Sequence, residues 1–400
     1  MAEAPAIAVS DDTPSREEMV ERAAALTPAI AARAEDVEKT GIIHPDTVRD
    51  LWDTRLWTAL KPKRYGGLEL DYGVFIDISD HIARGCASTA WIYGNLLSHD
   101  WMLPMWNARA QDEVWKDNPT ALISSSLVAT AGTAKPVAGG YEISGQWPYC
   151  SGIDPCDWLL MAAMIDDDGP RRPIWMAVPR DVFEEIDTWK VSGLVGTGSR
   201  DVKCDGVFVP EYMCLSPAEA RGGPTPGSAH VPGLLYQLPV LGLFPHILLG
   251  PMIGIAQGAY DDYVIEIRER SATYNSSKLA EHVQIQMKVA EAATLIQAAR
   301  LLGHDNIREA ERVAASGRIP TVEEKIRWRR DGAYAAQNCV KAVQILQTAI
   351  GAAGNYLSHP FQRRLRDIQA ASSQIQVNFD INGAEFGRVE LGLDPINKAI

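Results

Sequence analysis

The feature that most constrains the fold is a change of sequence pattern that occurs twice along the chain. From Ser15 to about Asn118, apolar residues recur every three or four positions, as on one face of a helix. Between Thr120 and about Pro210 the pattern changes to short apolar or alternating runs separated by Gly, Pro and Asp, which is typical of strands. Helical spacing then resumes as far as Asp380. We therefore predict a mainly α protein with a central β domain.

Local patterns set the predicted boundaries. Ser15, followed by a glutamate three residues later, predicts a helix start, and Gly139-Gly140 predicts a hairpin turn. The stretch "SPAEARGGPTPGSAHVPG" is rich in Gly and Pro and predicts a linker. The predicted units are an N-terminal helical domain (1–119), a β domain (120–215), the linker (216–233) and a C-terminal helical bundle (234–400).

Composition excludes several functions. The 400 residues are 46% hydrophobic, which suffices for a large core, and carry a formal net charge of −13. Because nucleic-acid binders and proteins of anionic membrane surfaces present a basic face, we expect neither a nucleic-acid nor a membrane partner. The N-terminus acquires charge early and has no apolar segment, so we expect no secretory signal.

The most apolar stretch, residues 233–260, raises the question of a membrane span. Pro239, Pro245 and Pro251 interrupt it, together with repeated glycines. A helix buried in a protein core accounts for this pattern better than a membrane span does. The long amphipathic segments that follow have wide apolar stripes, which fit either a homo-oligomer or a monomeric bundle.

The six cysteines lie apart, with no C-x-x-C pair. We expect them to be reduced in a cytoplasmic chain, with a Cys150–Cys156 disulfide as the alternative. The P-loop, G-x-S-x-G and H-E-x-x-H motifs are lacking, and no histidine pair has the spacing of metal ligands, so we predict no metal site. Either a cofactor supplies the chemistry or the chain is not an enzyme.

Several short stretches stand in an informative order: "PKRYGGLELD" (62–71), "CASTAWIYGNLLSHDWML" (86–103), "YEISGQWPYCSGIDPCDWLL" (141–160), "VSGLVGTGSRDVKCDGVFVP" (191–210) and "HPFQRRLRD" (359–367). Together with the α-β-α order, they resemble the acyl-CoA dehydrogenase fold. Within that fold they resemble the oxygenase components of two-component, reduced-flavin-dependent monooxygenases.

The resemblance implies an N-terminal α domain, a β-barrel or sandwich domain and a C-terminal four-helix bundle, in a homotetramer. It also implies reduced FMN or FAD, lying between the β domain and the bundle and supplied by a separate NAD(P)H-flavin reductase. In this family the reduced flavin and O2 form a C4a-hydroperoxide, which transfers one oxygen atom to a small aromatic substrate.

The resemblance also suggests site residues in the first two units. Ser151 matches a serine near flavin N5, and a Ser-Gly pair after a strand permits close approach of the backbone to a ring, although Ser-Gly is also a common turn. Trp91 and Trp147 match aromatic positions near the flavin, with burial in the core as the alternative. His99 matches a histidine that contacts substrate, and Ser126 a polar substrate or flavin contact.

Further matches lie in the loop and the bundle. Thr197, Gly198 and Ser199 match a loop near the flavin. Arg270, with Arg268 as its rival, matches an arginine that binds flavin phosphate, often across a subunit boundary. The stretch "GAAGNYLSHP" (351–360) offers glycines, Gly354 among them, that would let a cofactor approach the backbone.

The last predicted helix, "RDIQAASSQIQVNFD" (366–380), departs from the family pattern. Ile368, Ala371, Ile375 and Phe379 recur at helical spacing. Gln374 stands where the oxygenases usually carry a histidine near flavin C4a, and an amide orients but does not take a proton. We assign it to the catalytic site with Ser151 and His99.

Two alternatives to aromatic hydroxylation remain open from the sequence. An acyl-CoA dehydrogenase needs a carboxylate base; many relatives place it where this chain has Ile375, and a variant position lies on the helix of Asp261 and Asp262. Nitrogen or sulfur oxidation, which other branches perform, needs no phenol deprotonation and is compatible with Gln374. Hydroxylation of an already electron-rich ring such as an indole is equally compatible with Gln374, so the aromatic substrate is either phenolic or indolic.

Overall fold

A computed structural model describes residues 14–272 and 276–396 of the chain. Residues 1–13, which enter the prediction about a secretory signal and the predicted domain 1–119, lie outside the described residues. So do residues 397–400, at the end of the predicted bundle.

The N-terminal part is helical and begins where the sequence predicts. Ser15 caps the first helix by accepting from the backbone N–H of Glu18, whose carboxylate accepts from Ser15 N–H in return. The helices are α1 (Arg16–Thr40), α2 (Pro45–Asp53), α3 (Gly73–Gly85), α4 (Ala87–Met102) and α5 (Ala108–Trp115).

A mixed sheet follows, in the order β6-β7-β3-β2-β4-β5-β8, with β1 parallel to β4. The predicted hairpin turn is confirmed: β2 and β3 are antiparallel, Val137 is opposite Gly140, and Gly139 has φ +83°. The strands are β1 (Ile123–Ser126), β2 (Gly132–Val137), β3 (Gly140–Cys150), β4 (Trp158–Ile165), β5 (Pro173–Pro179), β6 (Glu184–Ile186), β7 (Arg200–Pro210) and β8 (Cys214–Leu215).

The C-terminal part is again helical. Its first helix meets the length and hydropathy expected of a membrane span, but 83% of its most apolar window is buried inside the fold, where α3 and α8 pack against it. The helices are α6 (Val240–Glu269), α7 (Val283–Ala315), α8 (Val322–Ile350), α9 (Pro360–Ser372) and α10 (Phe379–Glu390).

The predicted linker 216–233 is packed rather than extended. Gly227 donates its backbone N–H to the carbonyl of Met105, and a Cβ at Gly227 would lie 1.9 Å from the carbonyl oxygen of Pro104. The Tyr65 hydroxyl lies 2.9 Å from His230 Nε2. The segment therefore fastens the N-terminal helices to the start of α6.

Candidate active site

Helix α4 carries two predicted site residues, Trp91 and His99. All its residues except Asn95 are buried, because its apolar side chains cover most of its circumference. The helix packs against β1, where His99 Nδ1 lies 2.7 Å from the carbonyl oxygen of Ile123. Trp91 is also buried, and its indole N–H has no hydrogen-bond partner among the described residues.

His99 is held as a neutral acceptor. A carbonyl only accepts hydrogen bonds, so the contact with Ile123 places the ring proton on Nδ1 and a lone pair on Nε2. Burial lowers the pKa of His99 to about 4, against the smaller opposing effect of the Ile123 carbonyl. Within residues 14–272 and 276–396, no hydrogen bond reaches Nε2. A substrate hydroxyl could donate to that atom at neutral pH.

Strand β1 connects this histidine to the predicted flavin contact. Directly after Ile123, the Ser124 hydroxyl donates to the carbonyl of Ser151 at 2.8 Å. Two residues further, on the same face of the strand, the Ser126 hydroxyl donates to the carbonyl of Pro148 at 2.6 Å. The two serines fix the end of β3 against β1, so His99 and Ser151 are held by consecutive residues of one strand.

The segment around Ser151 is an irregular turn. Its pairing with β7 shifts register between Trp147 and Cys150, and both Tyr149 and Gly152 have positive φ, +67° and +68°. A non-glycine residue in this region of φ is uncommon and marks a backbone held in place by its surroundings. The turn lifts Ser151 out of the regular sheet, and the residue is 9% exposed.

Behind Ser151 lies a row of hydroxyl groups that we call the hydroxyl chain: Ser151, Ser199 and Thr197. Ser151 Oγ lies 2.8 Å from Ser199 Oγ, which lies 2.7 Å from Thr197 Oγ1. Thr197 Oγ1 donates to the carbonyl of Leu194 at 2.8 Å. Thr197 and Ser199 are 0% and 2% exposed, so they support Ser151 from within rather than forming an outer wall of the site.

Helix α9 anchors the loop that carries this chain. Asp367 Oδ1 accepts from the backbone N–H of Leu194 at 2.7 Å, and Leu194 has φ +53°. Burial raises the pKa of Asp367 to about 6, against smaller opposing effects led by the Leu194 N–H. Sequence reasoning missed Asp367. The available clue was its position four residues before buried Ala371, on the inward face of the helix.

Gln374 does not lie on that helix. Helix α9 ends at Ser372, where the hydroxyls of Ser372 and Ser373 both bond the carbonyl of Gln369 and so compete with the next helical turn. Gln374 uses its side-chain oxygen to accept from Gln376 N–H at 2.5 Å, and Ile375 is 57% exposed. The helical prediction through 380 is therefore wrong, and no hydrogen bond among the described residues joins Gln374 to the hydroxyl chain.

Arg270 and Gly354 both lie against Ile350, and no hydrogen bond among the described residues joins either of them to Ser151. Arg270 donates to Glu266 at 3.0 Å and to the carbonyl of Ile350 at 2.6 Å, while Arg268 is exposed. A Cβ at Gly354 would lie 2.5 Å from Ile350 Cγ2. This second cluster lies at the joined ends of α6 and α8, where phosphate binding stays a prediction.

Two predicted contacts have a packing explanation instead. Trp147 is fully buried, its indole N–H donates to the carbonyl of Ala162 at 2.7 Å, and it offers no surface to a cofactor. We therefore correct its assignment from pocket wall to core. Gly198 has φ +54°, and a Cβ there would lie 2.8 Å from Asp154 Oδ2; glycine is required by the turn itself.

The arrangement favours an organic cofactor. All six cysteines are unpaired, and none of the described residues form a group of three or more metal-ligating side chains. Neutral hydroxyls and a neutral imidazole can orient and hydrogen-bond but cannot carry electrons. The lone pairs of Ser151 and the unpartnered Trp91 N–H and His99 Nε2 fit a flavin and its substrate, and a flavin held there would supply the redox and oxygen chemistry.

Comparisons with known proteins agree with this geometry. Residues 13–115 match the acyl-CoA dehydrogenase N-terminal domain, and residues 247–379 match the acyl-CoA dehydrogenase C-terminal domain. The chain is 31% identical, over 94% of its length and 95% of the relative, to the oxygenase component of an FADH2-dependent resorcinol hydroxylase from Rhizobium sp..

Two solved structures are similar over nearly the whole chain. The HsaA monooxygenase of Mycobacterium tuberculosis is 29% identical, with a TM-score of 0.91 over 97% of this chain and 100% of that one. XiaF from Streptomyces sp., solved with FADH2 and glycerol, is 27% identical, with a TM-score of 0.87 over 96% and 98%.

Fold and matched domains together define a protein of the acyl-CoA dehydrogenase fold. Within that fold, the chain belongs to the family of flavin-dependent monooxygenase oxygenase components.

Proposed function

We propose that this chain uses reduced FMN or FAD and O2 to hydroxylate a small aromatic substrate that carries a phenolic hydroxyl. The observation that carries the proposal is the junction of α4 and β1. There His99 Nδ1 donates to the carbonyl of Ile123, which leaves Nε2 as a neutral acceptor, and the next strand residue, Ser124, donates to the carbonyl of Ser151. A phenol donates readily to such an acceptor, and the resemblance implies that flavin N5 lies near Ser151.

The side chains divide the work by position. His99 orients the substrate hydroxyl by accepting its hydrogen bond at Nε2. Ser151 binds the flavin edge, and Trp91 lines the same region with a free N–H. The chain is similar to oxygenase components, and that resemblance implies a separate NAD(P)H-flavin reductase that supplies the reduced cofactor.

Isotope labelling tests this function. Purified protein receives FMN or FAD reduced by NADH and a flavin reductase, in buffer equilibrated with 18O2, together with resorcinol and a panel of other phenols. We expect one 18O atom per molecule of hydroxylated product by mass spectrometry. Ser151→Ala should divert the turnover to hydrogen peroxide, while Ser144→Ala, at the surface of the preceding strand β3, should leave product yield unchanged.

The outcome that contradicts the proposal is hydrogen peroxide without labelled product across the whole panel. Reduction of bound FAD by acyl-CoA thioesters would instead establish a dehydrogenase. The geometry disfavours that alternative, because the Asp262 carboxylate accepts from Arg364 at 2.7 Å and the Asp261 carboxylate from Gln257 at 2.9 Å. Oxidation of an amine or thioether would support the nitrogen or sulfur branch, which has no use for the His99 acceptor.

We further propose a homotetramer in the cytoplasm. Support for assembly comes from α7, where Val283, Met287 and Leu301 are 67%, 64% and 57% exposed and share one helix face. A second copy of this chain is the partner that the resemblance implies. Six unpaired cysteines support a reducing compartment.

A further inference from the structure

The hydroxyl chain has a fixed direction. The carbonyl of Leu194 accepts and cannot donate, so the single hydroxyl proton of Thr197 is directed to it, at 2.8 Å. Thr197 Oγ1 must then accept from Ser199, so the single hydroxyl proton of Ser199 is used in this bond. Ser199 Oγ must in turn accept from Ser151. The proton of Ser151 therefore points inward, toward Ser199.

This direction leaves only lone pairs on the outer side of Ser151 Oγ. Thr197 and Ser199 are buried, while Ser151 retains 9% exposure at the outer end of the chain. All three groups are neutral, so the direction does not change with pH across the physiological range. Ser151 therefore meets a bound ligand as a hydrogen-bond acceptor.

Reversing the chain has a definite cost. If Ser151 donated outward, Ser199 would donate to Ser151 and Thr197 to Ser199, and the bond from Thr197 to the Leu194 carbonyl would be lost. That carbonyl keeps two other donors, Trp189 Nε1 at 3.1 Å and Thr197 N–H at 3.1 Å. The inward direction is thus favoured by one buried hydrogen bond.

The two redox states of a flavin differ at the atom that Ser151 is predicted to meet. Reduced flavin carries a hydrogen on N5 and donates there, whereas oxidised flavin has a lone pair on N5 and accepts. We propose that Thr197 and Ser199 are positioning residues that turn the Ser151 proton inward, so that the site binds reduced flavin in preference to oxidised flavin. The inference rests on the flavin position in the proposed function and adds the residues that set its redox preference.

The preference has a consequence for turnover. At the end of a catalytic cycle the flavin is oxidised, and the lone pair on its N5 would face the lone pairs on Ser151 Oγ. The two repel each other, which favours release of the oxidised flavin. Fresh reduced flavin, which donates from N5, would then displace it. Exchange with a separate reductase would thus be driven in one direction by the orientation of three hydroxyl groups.

The test measures the dissociation constants of reduced and oxidised FMN and FAD under anaerobic conditions for Thr197→Val, with Thr197→Ser as the matched control. Valine removes the hydroxyl and keeps the shape, so the Ser199–Ser151 pair can reverse without losing a bond. We expect the preference for reduced flavin to fall by about fivefold to tenfold in the valine variant. The serine variant should keep the wild-type ratio.

A second variant and a second measurement guard against a folding defect. Ser199→Ala frees the Ser151 proton to turn outward and should reduce the preference in the same way. A tenfold loss should also lower the midpoint potential of the bound flavin by about 30 mV. Equal ratios in wild type, Thr197→Val and Ser199→Ala would overturn the inference, as would a wild-type protein without preference for reduced flavin.

This failure is distinct from failure of the proposed function. A protein that incorporates 18O into phenols but keeps its flavin preference in both variants contradicts only the role of the hydroxyl chain. A protein that prefers reduced flavin through Thr197 and Ser199 but hydroxylates nothing contradicts only the proposed reaction.

Discussion

At the scale of single residues, burial moves the pKa of two site groups in opposite directions. It lowers the pKa of His99 to about 4 and raises that of Asp367 to about 6, because a buried site penalises the charged form of each. Each group has one hydrogen bond to the backbone: His99 donates to the carbonyl of Ile123, and Asp367 accepts from the N–H of Leu194. At pH 7.5 His99 is therefore neutral, whereas Asp367 is a carboxylate whose charge is penalised by burial.

The His99→Asn variant distinguishes the roles of the two ring nitrogen atoms. The asparagine amide can replace Nδ1 as donor to Ile123, but nothing replaces the Nε2 lone pair. We expect phenol binding to weaken by about tenfold, the loss of one buried hydrogen bond, with little change in the free energy of unfolding at pH 7.5. Fluorescence titration with resorcinol measures the first and urea unfolding the second.

The pH dependence checks the same histidine. Because its pKa lies near 4, wild-type phenol binding should be constant from pH 6 to pH 8 and should weaken as the pH falls toward about 4. The stability contributed by the neutral ring is present in full above about pH 6.5 and is lost as the pH falls from there toward about 4. A binding change centred near pH 6.5 would contradict this assignment.

Asp367→Asn tests the buried carboxylate. The folded-state pKa is raised from 3.8, so the stability linked to the neutral acid is present below about pH 4 and is lost as the pH rises through about 6. Asparagine accepts from Leu194 without a charge. Relative to wild type, the variant should gain about 1–3 kcal/mol of unfolding free energy between pH 4 and pH 7.5. Urea unfolding at both pH values measures this gain, and a constant difference would refute it.

At the scale of elements, the contact between α9 and the loop of the hydroxyl chain is a close approach of two backbones. A Cβ at Gly193 would lie 2.2 Å from the carbonyl oxygen of Arg366. Glycine at this position therefore lets the loop pack directly against the helix, where Asp367 accepts a hydrogen bond from the Leu194 N–H. The positions of Thr197 and Ser199 depend on this packing.

Gly193→Ala should push the loop away from α9. We expect a loss of about 1–3 kcal/mol in the free energy of unfolding, as for other overpacked sites, and weaker binding of reduced flavin. Gly387→Ala in α10 is the matched control, since no atom lies within 4 Å of its Cβ position; it should be neutral or slightly stabilising. Thermal unfolding and anaerobic flavin titration measure both effects, and equal behaviour of the two variants would refute the role of this contact.

Some ends of helices and strands could be predicted from the local sequence, and others could not. The Ser15 cap and the turn at Gly139 are local patterns, and both are present in the structure. The helix predicted through Phe379 ends at Ser372, because two serine hydroxyls bond the Gln369 carbonyl. Apolar spacing continues past that point, so periodicity alone could not locate the helix end.

At the scale of the whole molecule, the exposed apolar face of α7 indicates a surface that binds another protein chain. Val283, Met287 and Leu301 lie on that face, and a large exposed apolar surface commonly marks an interface. A second copy of the chain is the partner that we propose.

Met287→Glu should shift the protein from the tetramer to smaller species, because a charge buried at an apolar interface without a partner is costly. Size-exclusion chromatography with light scattering measures the mass. Val137→Glu introduces the same charge at an exposed position of the β domain and should leave the mass unchanged. A monomeric wild-type protein, or a tetrameric glutamate variant, would refute the proposed interface.

The sequence by itself determined the order of helices and strands, the family and the hydroxyl side chains at Ser151, Thr197 and Ser199. Those properties follow from residue type and local spacing. Only the tertiary structure decided that Trp147 belongs to the core, that Gln374 lies off the helix and that Asp367 anchors the loop.

The physical reason is that the deciding hydrogen bonds join distant residues. Ser151 and Ser199 are separated by 48 positions, and Leu194 and Asp367 by 173. No local pattern records which hydroxyl meets which carbonyl, so the direction of the hydroxyl chain emerges only when β3, the loop before β7 and α9 are packed together.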